Sequence, residues 1–477
     1  MKIKLGHGKI NMEQIAEWCM GELYNFCGES ICEFEYVCTD SREADNNTLF
    51  VATRGERVDG HDYIVSALDL GCRCVLCEYV PVNISGRCAS FVTVENSIEA
   101  FANAANGYRQ DSPIATVAVT GSVGKTTTKE LVASIFKRFL KVYSTVGNFN
   151  SVIGMPMSLM EVGEECDAAV FEMGMSGFGE IRSMSRTARP RIAMVTNVGS
   201  SHLEHLGTRE NIARAKLEIA EGLCDGGYLL LNGDEPLLRE IHPKTAKNRY
   251  KTLYVGLEEA KNCDIIAKNI HVSSEGTVFD LEFLGRLYKD VRINLIGRHF
   301  AYNASFAASA AFLMGADEAS VREGLLDYVS EGMRQNIREC DGVTVVADCY
   351  NAAPESMRGA IDTLCALSVE GKRVAVLGDM RELGEDSEEM HREIGRYLVS
   401  RGIDMLITVG KLGACIAESA IMSGMSPSCV FAQIDEGEID SVCAELKGIL
   451  KSGDAVLFKA SRTISLERVI DKVFYKD

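Results

Sequence analysis

The segment IATVAVTGSVGKTTTKELVASIF (114–136) limits the fold more than any other part of the chain. An apolar run of strand length enters a glycine turn, and a helical pattern leaves it at Lys125. Gly121 and Gly124 flank Ser122 and let backbone amides approach an anion with no Cβ in the way. The amides and dipole at the start of the new helix favour phosphate there. Lys125 can reach β- and γ-phosphates, and the hydroxyls of Thr126 and Thr127 follow, Thr126 suited to Mg²⁺. The turn reads TGSVGKTT and departs from GxxxxGK[ST], whose first glycine position holds Val119. A turn that merely caps a helix is the plain alternative. The strand before it, the Lys-Thr-Thr and the helix after it favour the phosphate loop.

Most of the chain repeats this alternation of β-branched runs and helical patterns, which predicts βαβ units and parallel sheets. At about 150 residues per domain, 477 residues make roughly three domains. Residues 1–96 carry short strand runs (TLFVAT, CRCVLCEYV, SFVTVE) and form a smaller N-terminal α/β domain. Residues 97–335 hold the phosphate loop in a central parallel-sheet domain, with TVFDLEFLG and VRINLIG as an antiparallel appendage and NASFAASAAFLM as an Ala-rich helix. Residues 336–477 (VTVVAD, RVAVLGD, MLITVG, CVFAQI, AVLFKA) read as a doubly wound, Rossmann-like C-terminal domain.

Composition narrows the functions. With 50 Lys+Arg against 68 Asp+Glu the net charge is −18. Nucleic-acid wrapping and binding to an anionic membrane both need a basic face and are disfavoured. No run reaches the roughly 18 apolar residues of a membrane span. The start, MKIKLGHGKINMEQIAEW, lacks the apolar core of a secretion signal, so a cytoplasmic location is expected. The 17 Cys are then expected as reduced thiols packed like small hydrophobes.

Three further segments bear on what is done with a phosphate. The run AAVFE ends at Glu172, at the carboxyl edge of a predicted parallel sheet, where Mg²⁺ would find a hard oxygen ligand. An ordinary strand-end acid is the alternative. The run RIAMVTNV leads into a polar loop with His202 and His205, and His202 lies nearer the strand. The helix IARAKLEIAEGL presents Lys216. A bare ammonium cannot bind a metal, so Lys216 is either a solvated helix lysine or, after reaction with CO₂, a carbamate.

Together these pieces resemble the Mur ligase family of ATP-dependent amide-bond ligases. The resemblance is carried by TDSREADNNTLFVATRGERVDGHDYI (39–64), TGSVGKTTTKE (120–130), GNFNSVIGMPMSL (147–159), FEMGMSGFGEI (171–181), TNVGSSHLEHLG (196–207), RAKLEI (214–219), GRHFAYNASFAA (297–308), DCYNAAPESM (348–357) and LGDMRELGEDSEEMHREIG (377–395). Two strings vary from the family pattern: DDSYNAN reads ADCYNAA at 347–353, and KGSR reads Lys459-Ala460-Ser461-Arg462.

The resemblance implies a cytoplasmic enzyme of peptidoglycan synthesis, acting as a monomer. It would join D-alanyl-D-alanine to UDP-MurNAc-tripeptide through an acyl phosphate. It further implies that Gly121, Ser122, Gly124, Lys125, Thr126 and Thr127 hold ATP phosphates, and that Thr126 and Glu172 share one Mg²⁺. His202 and a carbamylated Lys216 would hold a second. Asn303 would contact adenine, Arg334 phosphate and Asp348 the ribose. Ser41 and Arg42 would hold the UDP end, and Tyr350 and Asn351 the acceptor side. The alternatives are a sibling ligase, folylpolyglutamate synthase, or an ATP-hydrolysing switch.

Overall fold

The computed structural model describes residues 1–475 except 29–31, 56–57, 85, 111–113, 246–248, 259–261, 331 and 436. These residues form three large sheets, of six, nine and six strands, and a two-stranded ribbon.

The first sheet runs Lys2–Lys4, Tyr36–Cys38, Thr48–Val51, Cys74–Cys77, Ser90–Thr93, Glu22–Asn25 from edge to edge. Its inner pairs are parallel and its two edge strands antiparallel. Thr48–Val51 and Cys74–Cys77 are buried on both faces, which explains their lack of polar alternation. One expectation fails here: Cys27 and Cys88 are joined. They continue the antiparallel register that pairs Asn25 with Ser90, and their Cα atoms lie 4.6 Å apart. A pairing across 61 residues leaves no local trace in the sequence. The other 15 cysteines form no disulfide.

The second sheet has the order Val142–Ser144, Ala168–Glu172, Ala115–Thr120, Ile192–Val195, Tyr228–Asn232, Lys251–Leu257, Ile265–Ser273, Gly276–Phe283, Arg286–Ile293. Its first seven strands are parallel, and the last two turn back as an antiparallel meander. The appendage read from sequence is therefore continuous with the sheet, and its last strand starts at Arg286 instead of Val291. Ala115–Thr120 has neighbours of later sequence on both sides, so the chain reverses its direction of travel across the sheet there. The crevice at such a reversal, beyond the strand carboxyl ends, is where doubly wound sheets bind ligands. Register sets Glu172 opposite Val119 and Val195 opposite Thr120, so three strands deliver their carboxyl ends side by side.

Behind the phosphate loop, the helix Arg298–Leu313 packs on the helix Lys125–Phe136. Its run of buried Ala301, Ala304, Ala307, Ala308 and Ala311 allows a close approach. The third sheet runs Asn336–Cys340, Val343–Ala347, Ala455–Lys459, Arg373–Gly378, Met405–Val409, Val430–Gln433, parallel but for its first strand. Among the described residues no helix is long and apolar enough to cross a membrane.

Candidate active site

A cavity of about 440 Å³ lies between the second and third sheets. Its floor is the turn from Ala115–Thr120 into Lys125–Phe136. Gly124 sits at φ 82° at the head of that helix, and no side chain caps it. A Cβ on Gly124 would lie 2.8 Å from Asn303 Oδ1, and one on Gly121 would lie 1.9 Å from Thr196 Oγ1. Both positions therefore require glycine, for space as well as backbone conformation.

Asn197 braces the turn. Its Oδ1 accepts hydrogen bonds from the Ser122 and Val123 amides, each at 2.9 Å. The Gly199 amide donates to Ser122 Oγ at 2.8 Å, and Thr196 Oγ1 donates to Val123 O at 2.7 Å. Lys125 folds over the turn and donates to Gly121 O at 2.9 Å. Burial pulls its ammonium below the ordinary lysine range; Glu172 opposes this shift and Arg334 adds to it.

Thr126 Oγ1 donates to Glu172 Oε2 at 2.7 Å, and Asn150 Nδ2 donates to Glu172 Oε1 at 2.8 Å. The pair of hydroxyl and carboxylate is a hard-oxygen set of the kind Mg²⁺ takes alongside substrate phosphates. Among the described residues no cluster of three or more His, Cys, Asp or Glu is arranged to hold a metal.

His202 adopts a left-handed backbone (φ 66°), uncommon for a non-glycine residue. Its Nδ1 lies 2.6 Å from Glu382 Oε2, an ion-pair approach poorly aligned for a hydrogen bond. The contact joins the central loop to the segment after Arg373–Gly378, and the Glu204 amide donates to Glu382 O at 3.2 Å. His202 chiefly holds the Glu382 carboxyl below its ordinary range.

Lys216 is buried, 1% exposed, on the helix Arg209–Leu217. Burial, and then the charge of Lys125, push its ammonium well below the ordinary lysine value. The acid two residues on, Glu218, is engaged elsewhere: it accepts from the Gly179 amide and from Arg182.

The third sheet supplies the opposite wall. Asp348 follows Val343–Ala347, and Lys459 Nζ donates to its Oδ2 at 2.7 Å. The Gln335 amide donates to Asp348 Oδ1 at 3.3 Å. The Arg334 guanidinium lies 4.0 Å over the Tyr350 ring. Lys459 also donates to Asn351 O.

Of the residues singled out from sequence, Ser122, Gly124, Lys125, Thr126, Thr127, Glu172, His202, Asn303, Arg334, Asp348, Tyr350 and Asn351 line this one cavity. Gly121 and Lys216 are not among the residues that line it. Ser41 and Arg42 lie outside it, in a short 3₁₀ turn where Asp40 accepts from the Arg42 amide and side chain. Asn150, Asn197 and Glu355 were given no role from sequence, and Lys459 was named only as part of the varied KGSR string. Asn150 and Asn197 had a visible signal, because each is an Asn in a polar loop that follows or faces an apolar strand.

A strand–glycine turn–helix phosphate loop, a hydroxyl–carboxylate pair at the next strand end and a wall from a second parallel sheet define a two-sheet nucleotide-site architecture. The pattern of the Mur ligase middle domain matches residues 119–311. That of the glutamate ligase domain matches 333–462, and that of the family's catalytic domain matches 33–116. The chain belongs to the Mur ligase family. It is 36% identical over 470 residues to the UDP-N-acetylmuramoyl-tripeptide–D-alanyl-D-alanine ligase of Bacillus subtilis (strain 168), covering 97% of this chain and 98% of that one. Among solved structures, MurF from Acinetobacter baumannii superposes with a TM-score of 0.87 at 27% identity, covering 99% and 100% of the two chains. MurF ligase from Thermotoga maritima, solved with ADP, gives 0.79 at 31% identity, covering 92% and 96%.

Proposed function

We propose that this protein is an ATP-dependent ligase that joins D-alanyl-D-alanine to UDP-MurNAc-tripeptide in peptidoglycan synthesis. The observation that carries this is the cavity itself: Lys125, Thr126 and Glu172 face Arg334 and Asp348 across it, so a bound nucleotide meets two sheets at once. Full-length similarity to the Bacillus subtilis ligase supports the same reading.

The chemistry required explains the residues. A carboxylate is a poor electrophile, so ATP first phosphorylates the terminal carboxylate of the tripeptide. The amine of the dipeptide then attacks that carbon, its C–O bond to phosphate breaks, and phosphate leaves. Lys125 and the uncapped amides at the head of its helix hold the β- and γ-phosphates, and fixed donors at the transferred group stabilise charge as it develops. Arg334 reaches phosphate from the far wall, Asn303 lies toward the adenine and Asp348 toward the ribose. Ser41 and Arg42 anchor the UDP end, and Tyr350 and Asn351 lie on the acceptor side. Thr126 and Glu172 would hold one Mg²⁺, and His202 with carbamylated Lys216 a second. The hard-oxygen pair fits the first ion. A buried lysine whose neutral form is favoured fits the carbamate, since CO₂ adds to the neutral amine. Bound there, the ions would neutralise charge between γ-phosphate and carboxylate. The contacts of Glu382 with His202 and Glu204 keep the two walls together, which limits water at the acyl phosphate.

The test is phosphate release from ATP. Release is expected only when UDP-MurNAc-tripeptide and D-alanyl-D-alanine are both present. Release without either substrate would indicate a switch, and release with another amine in place of the dipeptide would indicate a sibling ligase.

A further inference from the structure

Glu355 stands in the first turn of the helix Pro354–Ala366, on the third-sheet side of the cavity. Its Oε1 accepts two hydrogen bonds, from the Ser200 amide and from Ser200 Oγ, each at 3.1 Å. These fix the carboxylate plane. Its Oε2 is buried and has no hydrogen-bond partner among the described residues. Gly199 permits this approach, because a Cβ there would lie 2.8 Å from Oε2.

The cations nearby are committed elsewhere. Lys125 is held by the carbonyls of its own turn, Lys459 by Asp348, and Arg334 lies on Tyr350. A carboxylate oxygen kept from water and left without a donor is unfavourable, unless something outside the chain supplies the donor. Position narrows what that is. The Gly199 amide is bonded to Ser122 Oγ in the phosphate loop, and Ser200, the next residue, is bonded to Glu355. Two links thus separate the unpaired oxygen from the place where phosphoryl transfer would occur. His202 lies two residues beyond Ser200.

We infer that Glu355 Oε2 is the binding point for the ammonium group of the incoming amine. This rests on the proposed ligase function. At neutral pH the amine of a dipeptide arrives as a cation with three N–H donors, and a single oriented carboxylate oxygen beside the phosphate loop matches it. Held there, the ammonium gives up one proton to water before its nitrogen attacks the acyl-phosphate carbon and phosphate leaves. Glu355 is then a substrate-binding residue contributed by the third sheet to chemistry on the second.

The experiment compares wild type with Glu355→Gln, using two nucleophiles. D-Alanyl-D-alanine carries the ammonium. Hydroxylamine, largely neutral at neutral pH, traps an acyl phosphate as a hydroxamate without needing an ammonium site. For the variant, KM for the dipeptide should rise by about tenfold or more. Hydroxamate formation, the Mg²⁺ requirement and the melting temperature should stay at wild-type values. As a second measurement, D-lactyl-D-alanine, with a hydroxyl in place of the ammonium, is tested as an inhibitor. Wild type should bind it more weakly than the dipeptide, and the variant should lose that preference. Parallel loss of hydroxamate and amide would overturn the assignment and make Glu355 a support for the Ser200 loop. A raised Mg²⁺ requirement would overturn it in favour of a metal ligand, and unchanged kinetics would overturn it outright. A wild-type protein that forms neither product would remove the ligase function itself, and this assignment with it.

Discussion

Thr126 Oγ1 and Glu172 Oε2 share a hydrogen bond of 2.7 Å that ties the first turn of the phosphate-loop helix to the end of a strand 46 residues later. The bond makes the two side chains one unit. If they share a metal ion, Thr126→Ala and Glu172→Gln should each cost on the order of 10²-fold in turnover. The double variant should lose little more than the worse single one, because partners in one unit are not additive. Both singles should need more Mg²⁺ for half-maximal rate. Independent, multiplying losses would show that the pair does not act together.

Lys125→Ala removes the cation nearest the phosphate site. It also deletes the hydrogen bonds to Gly121 O and Ser122 O. Relief of a desolvated charge offsets those lost bonds, since burial already disfavours this ammonium. Turnover is expected to fall on the order of 10²-fold or more, with the melting temperature nearly unchanged. Near-wild-type turnover would refute the phosphate-loop assignment.

Lys216 has a pH signature of definite sign. Its folded-state value is depressed well below the ordinary 10.5. Between that lowered value and 10.5 the unfolded chain binds more protons than the folded one, so stability rises with pH through this window. At neutral pH the residue therefore weakens the fold. In CO₂-depleted buffer Lys216→Met should melt at or above the wild-type temperature, with a flatter dependence on alkaline pH. Turnover should be absent from the variant and recoverable by bicarbonate only in wild type. A carbamate resonance after addition of ¹³C-bicarbonate is expected in wild type alone. A Met variant that melts far below wild type without CO₂ would count against this account.

Gly107 lies on the helix Ser97–Gln110 where it meets Trp18, the chain's one tryptophan. A Cβ at 107 would sit 2.2 Å from Trp18 Cγ, against the base of a side chain that cannot swing aside. Overpacking of this kind costs about 1–3 kcal/mol, and the better helix propensity of Ala returns about 1. Gly107→Ala should therefore lower stability by up to about 2 kcal/mol and shift the tryptophan emission, with ligation unaffected. An unchanged spectrum and melting curve would show that the helices separate freely here.

Some of this was legible in the sequence because the signal is local. The run before Gly121 is apolar but for Thr116 and Thr120, since the strand is buried on both faces, and the turn and helix after it carry their own residue chemistry. Glu172 and His202 were legible for the same reason, each coming just after an apolar run. What the sequence hides is pairing over distance. Nothing near Cys27 marks Cys88, and nothing near Ser200 marks Glu355, 155 residues on. The last strand of the central sheet was placed late because its first half, Arg286-Leu287-Tyr288-Lys289, is largely exposed and reads as a loop. The Lys459–Asp348 contact is of the same hidden kind, made when two parallel strands of the third sheet align.

The turn that holds Ser41 and Arg42 does not border the cavity, so its distance from the phosphate loop is fixed by how the sheets stack. On the proposed reading this makes the protein a ruler. A sugar nucleotide gripped at its UDP end delivers its far carboxylate to the loop only if the intervening peptide has the right span. A shorter or longer stem keeps the same grip and brings its carboxylate short of the loop or past it. Discrimination by length is then a property of the scaffold, and no single substitution inside the cavity would relax it.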